Sequence, residues 1–195
     1  IQFARILNSR KALPRSYYPI IITECAARLT QRQRYYYLCT MNTLSFDDIY
    51  MELAQNLSRK SHCVKMKVGA VISKDTRIVS LGYNGPPAGT HNCDVEWPEE
   101  GCPRDRKGGC SLALHAEANA ILYAAKNQIT MENATLYVTL APCLPCARII
   151  YTTGIKKVIY LDSYAEYKGL DIEEGVEFLN RFGVNVERYK RPEGK

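Results

Sequence analysis

The stretch ATLYVTLAPCLPCARIIYTTGIKKVIYLD, residues 134–162, reads as a strand, a helix and a second strand. ATLYVTL and KKVIYLD are rich in β-branched and aromatic residues, the chemistry of a pleated, buried surface. CLPCARIIYTTG between them reads as a helix, with its proline confined to the start and Gly154 at the end. A strand, a crossover helix and a strand imply two parallel neighbours joined by a right-handed connection.

Reading outward extends the same pattern. Downstream, DIEEGVEFLNRFG (171–183) is a helix stopped by Gly183, and VNVERY (184–189) is a last strand. Upstream, LHAEANAILYAAKN (114–127) is an alanine-rich helix. KVGAVIS and RIVSLGYN flank Lys74-Asp75-Thr76 and read as a hairpin. SFDDIYMELAQNLSRKS (45–61) opens with Ser45 followed by Asp48, a capping box with aspartate in place of the usual glutamate. Phe46, Ile49, Leu53 and Leu57 then recur at helical spacing. The order is αββ, a loop, then αβαβαβ, with no internal repeat and no second domain. The loop, residues 85–113, holds Pro86, Pro87, Pro98, Pro103, five glycines and no period. A structureless stretch of that length inside a domain needs a staple or a function.

The net charge of +6 invites a polyanion partner, but its location argues against one. Residues 1–40 carry Arg5, Arg10, Lys11, Arg15, Arg28, Arg32 and Arg34 against the single acid Glu24, which accounts for the whole excess. The remainder is neutral and shows no basic footprint for nucleic acid. No apolar run is long enough for a membrane helix. The first methionine is Met41, and residues 1–40 have no sustained period. They are expected to be a non-native, disordered or targeting leader, with the domain proper spanning 41–195.

Six cysteines lie in 41–195: Cys63, Cys93, Cys102, Cys110, Cys143 and Cys146. Without a visible secretory signal, a reducing cytoplasm is the expected setting, where clustered cysteines bind metal more often than they form disulfides. Cys143 and Cys146 stand three apart at a helix start, so both sulfurs can share one face. The helix N-terminus favours thiolate over thiol. His115 opens the preceding helix and completes a three-ligand set for Zn²⁺, leaving one tetrahedral position for water. Two thiolates and a neutral imidazole cancel the zinc charge, so that water needs a nearby base. Glu117, two residues from His115, is the catalytic candidate: it would take a proton from water, deliver it to a ring nitrogen, and carry a second to a departing amine. Taken singly, Cys-x-x-Cys could be a redox pair or half of a structural site, and His-Ala-Glu could be a cap.

Cys63, Cys93, Cys102 and Cys110 could form a second, structural zinc site that ties the loop to the first helix. His62 or His91 could replace one of them. The bland alternative is four separate thiols.

His115-Ala116-Glu117 with Pro142-Cys143-x-x-Cys146 matches the signature of zinc deaminases. With KVGAVI (67–72), GYNGPPAG (82–89), Asn92-Cys93, HAEANAIL (115–122), LYVTLAPCLPCARII (136–150) and GIKKVIY (154–160), residues 44–190 resemble the deoxycytidylate deaminases of the cytidine deaminase-like superfamily. The resemblance implies an α/β three-layer sandwich: a mixed five-stranded sheet of order 2-1-3-4-5 with helices on both faces. It implies hydrolytic deamination of dCMP to dUMP and ammonia, feeding thymidylate synthesis, and a homo-oligomer, commonly a hexamer. It assigns Asn84 to the nucleotide sugar and the GYNGPPAG loop, through Gly82 and Gly85, to dCTP or dTTP effectors. Some viral members place histidines in the second metal site where this chain has Cys102 and Cys110. Tyr164 could cover the substrate. Lys65, Lys67, Arg104, Arg106, Lys107 and Lys168 are candidate phosphate partners, with no choice among them. The competing readings are a deaminase of another cytosine nucleotide, a nucleoside or tRNA adenosine, and a non-catalytic binding module. The neutral body argues against the tRNA reading, and Glu117, useless to a dead scaffold, argues against the module.

Overall fold

The computed structural model describes residues 44–97, 102–106, 109–164 and 173–191. The leader expected over 1–40 lies outside the described residues, as do Lys107 and Lys168. The described residues from Ser45 onward belong to one compact unit, Ser45–Lys195.

Helix α1 (Phe46–Ser58) starts as its sequence predicts. The Asp48 amide donates to Ser45 Oγ at 3.1 Å, and the Ser45 amide donates to the Asp48 carboxylate at 3.0 Å. Two N–H groups that the first turn cannot satisfy internally are thus paired. The same acidic turn is pinned from the sheet. Tyr137 Oη donates to Asp47 at 2.7 Å, and Tyr189 Oη donates to Asp48 at 2.6 Å.

Strands β1 (Gly69–Lys74) and β2 (Arg77–Tyr83) form the hairpin. Its two turn residues, Asp75 and Thr76, have φ of 49° and 61°, the left-handed pair of a type I′ turn that matches strand twist. Next come α2 (Cys93–Glu96), α3 (Ala116–Lys126), β3 (Thr135–Leu140), α4 (Leu144–Thr152), β4 (Lys157–Asp162), α5 (Glu174–Arg181) and β5 (Asn185–Arg188). The sheet order is β2-β1-β3-β4-β5. β1 runs antiparallel to both β2 and β3, while β3, β4 and β5 are parallel. This is the mixed sheet that the resemblance implies.

Alternation along the strands divides the core. Val71, Tyr137, Ile159 and Leu161 face α1 and meet Tyr50, Met51 and Ala54. Ala70, Ile72, Leu136, Val138, Leu140 and Val158 face the other way, toward α3, α4 and α5. One helix covers one face and three cover the other, a three-layer sandwich.

The alanines of α3 have a spatial purpose. Ala116, Ala120 and Ala124 are fully buried, and the helix lies almost on the backbone of β2. A Cβ on Gly82 would meet the Ala120 nitrogen and the Ala116 oxygen at 2.6 Å each. Ser80 Oγ donates to the Ala120 carbonyl at 2.7 Å in the same contact. This close approach sets the position of the α3 N-terminus, where His115 stands.

The long loop leaves and re-enters the body at one point. Gly85 and Leu114 exchange backbone hydrogen bonds of 3.1 and 2.9 Å. Inside the excursion, the described residues form the short α2 and a bridge between Arg104 and Cys110. Among the described residues, no helix is long and apolar enough to cross a membrane.

Candidate active site

The two pieces of the zinc pattern meet beyond the C-terminal end of β3, the central strand of the sheet. Cys143 is the N-cap of α4 and His115 the N-cap of α3, both extended, with ψ of 163° and 155°. Neither side chain caps its own helix, so thiol and imidazole are free for another partner. Cys146 lies one turn into α4 and is 3% exposed. His115 Nδ1 stands 3.4 Å from Cys143 Sγ and 3.4 Å from Cys146 Sγ. The three ligand atoms all lie within 4.8 Å of one another, the one such His/Cys/Asp/Glu cluster among the described residues.

The spacing fits zinc. In a tetrahedron with bonds of about 2.0 Å to nitrogen and about 2.3 Å to sulfur, the nitrogen and a sulfur stand about 3.5 Å apart. The electrostatics also fit a cation. The hydrogen bond from Cys146, opposed by burial and helped by His115, pulls the Cys143 thiol down to about 4. The same shared proton, together with burial, raises Cys146. His115 is pushed up to about 9, chiefly by its hydrogen bond with Cys143. A metal held by these three groups would displace their protons.

Glu117 is 4% exposed in the first turn of α3. Burial pushes its carboxyl up to about 7, against a backbone hydrogen bond and the His115 charge that pull it down. A carboxyl poised near neutrality can both take and give a proton. Tyr164, just beyond β4, packs on the core. Its hydroxyl is held above the ordinary tyrosine range by burial first, then by the charges of Cys143, Glu117 and Cys146.

Asn84 is 8% exposed and its amide is engaged. Oδ1 accepts from the Val68 amide at 2.7 Å, and Nδ2 donates to the Met66 carbonyl at 2.8 Å. It braces the segment entering β1, beside a cleft of about 260 Å³ whose lining includes Arg59, Lys67, Leu140 and Asp162. Ser61, which sequence reasoning missed, supports it by donating to the Asn84 carbonyl at 2.7 Å. Its only sequence signal was a small polar residue near Cys63.

The missing side chain of Gly82 makes room for α3. Gly85 differs, since a Cβ there would have nothing within 4 Å.

Cys63, Cys93, Cys102 and Cys110 share a neighbourhood but are not drawn to ligand distances. Burial raises the Cys93 thiol, and the charges of Cys110, Cys102 and Cys63 raise it further. Burial opposes ionisation of Cys110 also, but the Ala113 and Leu112 amides and the Cys102 thiol together lower it. The Ala113 amide lies 3.3 Å from Cys110 Sγ. His62 and His91 meet acids of α2: His62 Nδ1 is 2.8 Å from Asp94 and His91 Nδ1 is 3.6 Å from Glu96.

Residues 44–162 match the family described as "Cytidine and deoxycytidylate deaminase zinc-binding region". Deoxycytidylate deaminase of Enterobacteria phage T2 is 37% identical over 170 residues, which cover 70% of this chain and 88% of the phage protein. That of Saccharomyces cerevisiae is 38% identical over 150 residues, 74% of this chain but 45% of the yeast protein. Among solved structures, the dCMP deaminase of cyanophage S-TIM5 in complex with dCMP and dUMP is 32% identical. It superposes with a TM-score of 0.62 over 75% of this chain and all of its own. Motif, sheet order, ligand geometry and relatives agree: the chain belongs to the cytidine and deoxycytidylate deaminase family.

Proposed function

We propose that this protein hydrolyses dCMP to dUMP and ammonia, supplying dUMP for thymidylate synthesis. The observation that carries the reading is the convergence of His115, Cys143 and Cys146 beside a buried Glu117. The relatives named deoxycytidylate deaminase support the choice of substrate. His115, Cys143 and Cys146 would hold zinc, which as a Lewis acid lowers the pKa of water at its open position. Glu117 takes the first proton of the attacking water and delivers it to the ring nitrogen beside the amino-bearing carbon. The water oxygen bonds that carbon. Glu117 then passes the second proton to the amino group, the C–N bond breaks, and ammonia leaves. The sum is dCMP plus water giving dUMP plus ammonia. Tyr164 closes over the base from the end of β4, and Asn84 offers its remaining amide hydrogen and lone pair to the sugar.

Several finer features belong to the same proposal. Residues 41–195 are the catalytic domain and 1–40 a leader. The compact unit from Ser45 and the family match from residue 44 support that division. Cys63, Cys93, Cys102 and Cys110 hold a second, structural zinc, supported by the N–H to sulfur contact at Cys110, a geometry suited to a thiolate. The active form is a cytoplasmic homo-oligomer, a hexamer by resemblance, and dCTP or dTTP acts at the GYNGPPAG loop, through Gly82 and Gly85.

The deciding experiment is an ammonia-release assay comparing dCMP, CMP, deoxycytidine and cytosine, with and without dCTP. Preferred turnover of dCMP is expected. A preference for deoxycytidine would remove phosphate recognition from the reading, and no release from any of them would end it.

A further inference from the structure

Gly175 sits in the first turn of α5, buried against the loop that carries a metal ligand. A Cβ built on it would strike the Pro142 carbonyl oxygen, and would stand 2.8 Å from the Cys143 carbonyl carbon and 2.9 Å from that of Pro142. All three atoms belong to peptide backbone, which cannot swing aside as a side chain can. The nearest contacts are therefore with the Pro142–Cys143 backbone, at the residue that donates a sulfur ligand and the one before it.

The rest of α5 is fastened down around this point. Val176 and Leu179 are buried in the core shared with α4. Phe178 meets Tyr151 of α4 edge-on, with ring centroids 6.2 Å apart, and Phe182 meets the same tyrosine at 5.5 Å. The helix cannot retreat from Pro142 without breaking these contacts, so an added atom at residue 175 pushes on the ligand loop.

We propose that Gly175 is a positioning residue for the metal centre: the bare backbone of α5 buttresses the Pro142–Cys143 peptide and holds the Cys143 sulfur in register with His115 and Cys146. The proposal rests on the reading of those three residues as the metal ligands. Tight coordination tolerates little displacement, and partners that orient ligands without touching the ion affect metal affinity strongly.

The test is zinc release to a chromophoric chelator from the folded, zinc-loaded chain. The release phase missing from Cys143→Ser is assigned to this centre. In Gly175→Ala that phase should shift to roughly 10- to 100-fold lower chelator concentration. Gly183→Ala serves as the control. It strains the other end of α5, where φ is 78° and a Cβ would meet nothing within 4 Å, so it lowers stability without reaching the loop. Its release phase should stay at the wild-type position. If Gly175→Ala releases zinc as the wild type or Gly183→Ala does, the proposal is overturned. If wild type and Cys143→Ser release identically, the ligand reading itself falls, and the proposal with it.

Should Gly175→Ala not fold, the wild type carries a reciprocal test. A helix that positions the metal must in turn be steadied by it. Stripping the ion should speed amide exchange in the first turn of α5, from Gly175 to Phe178. Exchange unchanged by metal removal overturns the proposal.

Discussion

Gly82 of β2 and Ala120 of α3 touch backbone to backbone, with only 2.6 Å between the Ala120 nitrogen and the place a Cβ on residue 82 would occupy. Two elements far apart in sequence are thereby locked at a separation that only the smallest residues allow. The helix so placed carries His115 at its start and Glu117 in its first turn.

It follows that Gly82→Ala forces α3 off the strand. Overpacking of this kind costs about 3 kcal/mol. A drop in the thermal midpoint is expected together with weaker zinc retention, because His115 moves with the helix. Ser80→Ala, which removes one hydrogen bond in the same contact without adding bulk, should cost about 1 kcal/mol and leave zinc bound. Differential scanning calorimetry with metal analysis separates the two. Equal stability of Gly82→Ala and wild type would show that the contact is not tight.

Glu117→Gln keeps the shape of a buried side chain and removes its ability to carry protons. Two transfers in the proposed cycle pass through this carboxylate, so turnover should fall about 10⁴-fold. The zinc content should be unchanged, since Glu117 is not a ligand. Rate measurements paired with metal analysis check this. Retained turnover in a zinc-loaded Glu117→Gln would transfer the proton chemistry elsewhere.

Much of this site was legible in the chain because its parts are local. Cys143 and Cys146 lie on one helical turn, His115 and Glu117 on another, and each announces itself by spacing. Ser45 with Asp48, and the Asp75-Thr76 turn, are equally local and stand as expected. What escaped depends on what comes near a residue from a distance. Nothing adjacent in sequence shows that the missing side chain of Gly82 accommodates a helix. Gly175 drew no notice in the sequence: glycine inside a helix costs about 1 kcal/mol in propensity, and nothing adjacent to it hints at Pro142. The pair His62 and Asp94 is equally hidden, since the two become neighbours only once the loop folds back.

The four loop cysteines yield a stoichiometric prediction. If they share an ion, zinc-loaded protein holds about two zinc per chain, and Cys93→Ser, which replaces the most buried of the four, holds about one. Its melting temperature should fall, because the loop loses its tie to the segment after α1. The remaining folded protein should keep its zinc at His115, Cys143 and Cys146 and its turnover. Atomic absorption on both proteins decides it, and one zinc per chain in the wild type would leave the four thiols without a shared metal.

The tyrosines that grip α1 predict how the fold responds to alkali. Burial raises the Tyr189 hydroxyl to about 12, and its hydrogen bond and charge contact with Asp48 add to the shift. Tyr137 is held above the ordinary range by burial first and then by Asp47. An unfolded tyrosine ionises near pH 10. Between that value and about 12, the unfolded chain gives up protons that the folded chain keeps, so the unfolded state binds fewer. Stability from this source is complete below pH 10 and drains away as pH rises through the folded values. Tyr137→Phe should cost about 1.5 kcal/mol at neutral pH, the worth of a hydrogen bond to a charged group. The double variant Tyr137→Phe/Tyr189→Phe should be less stable than wild type at pH 8 but lose stability more gently between pH 10 and 12, where it has no tyrosinate to form at these positions. Urea titrations across that range, with tyrosinate absorbance followed in parallel, measure both slopes. Parallel slopes in the two proteins would mean that Asp47 and Asp48 do not hold these hydroxyls in their protonated form.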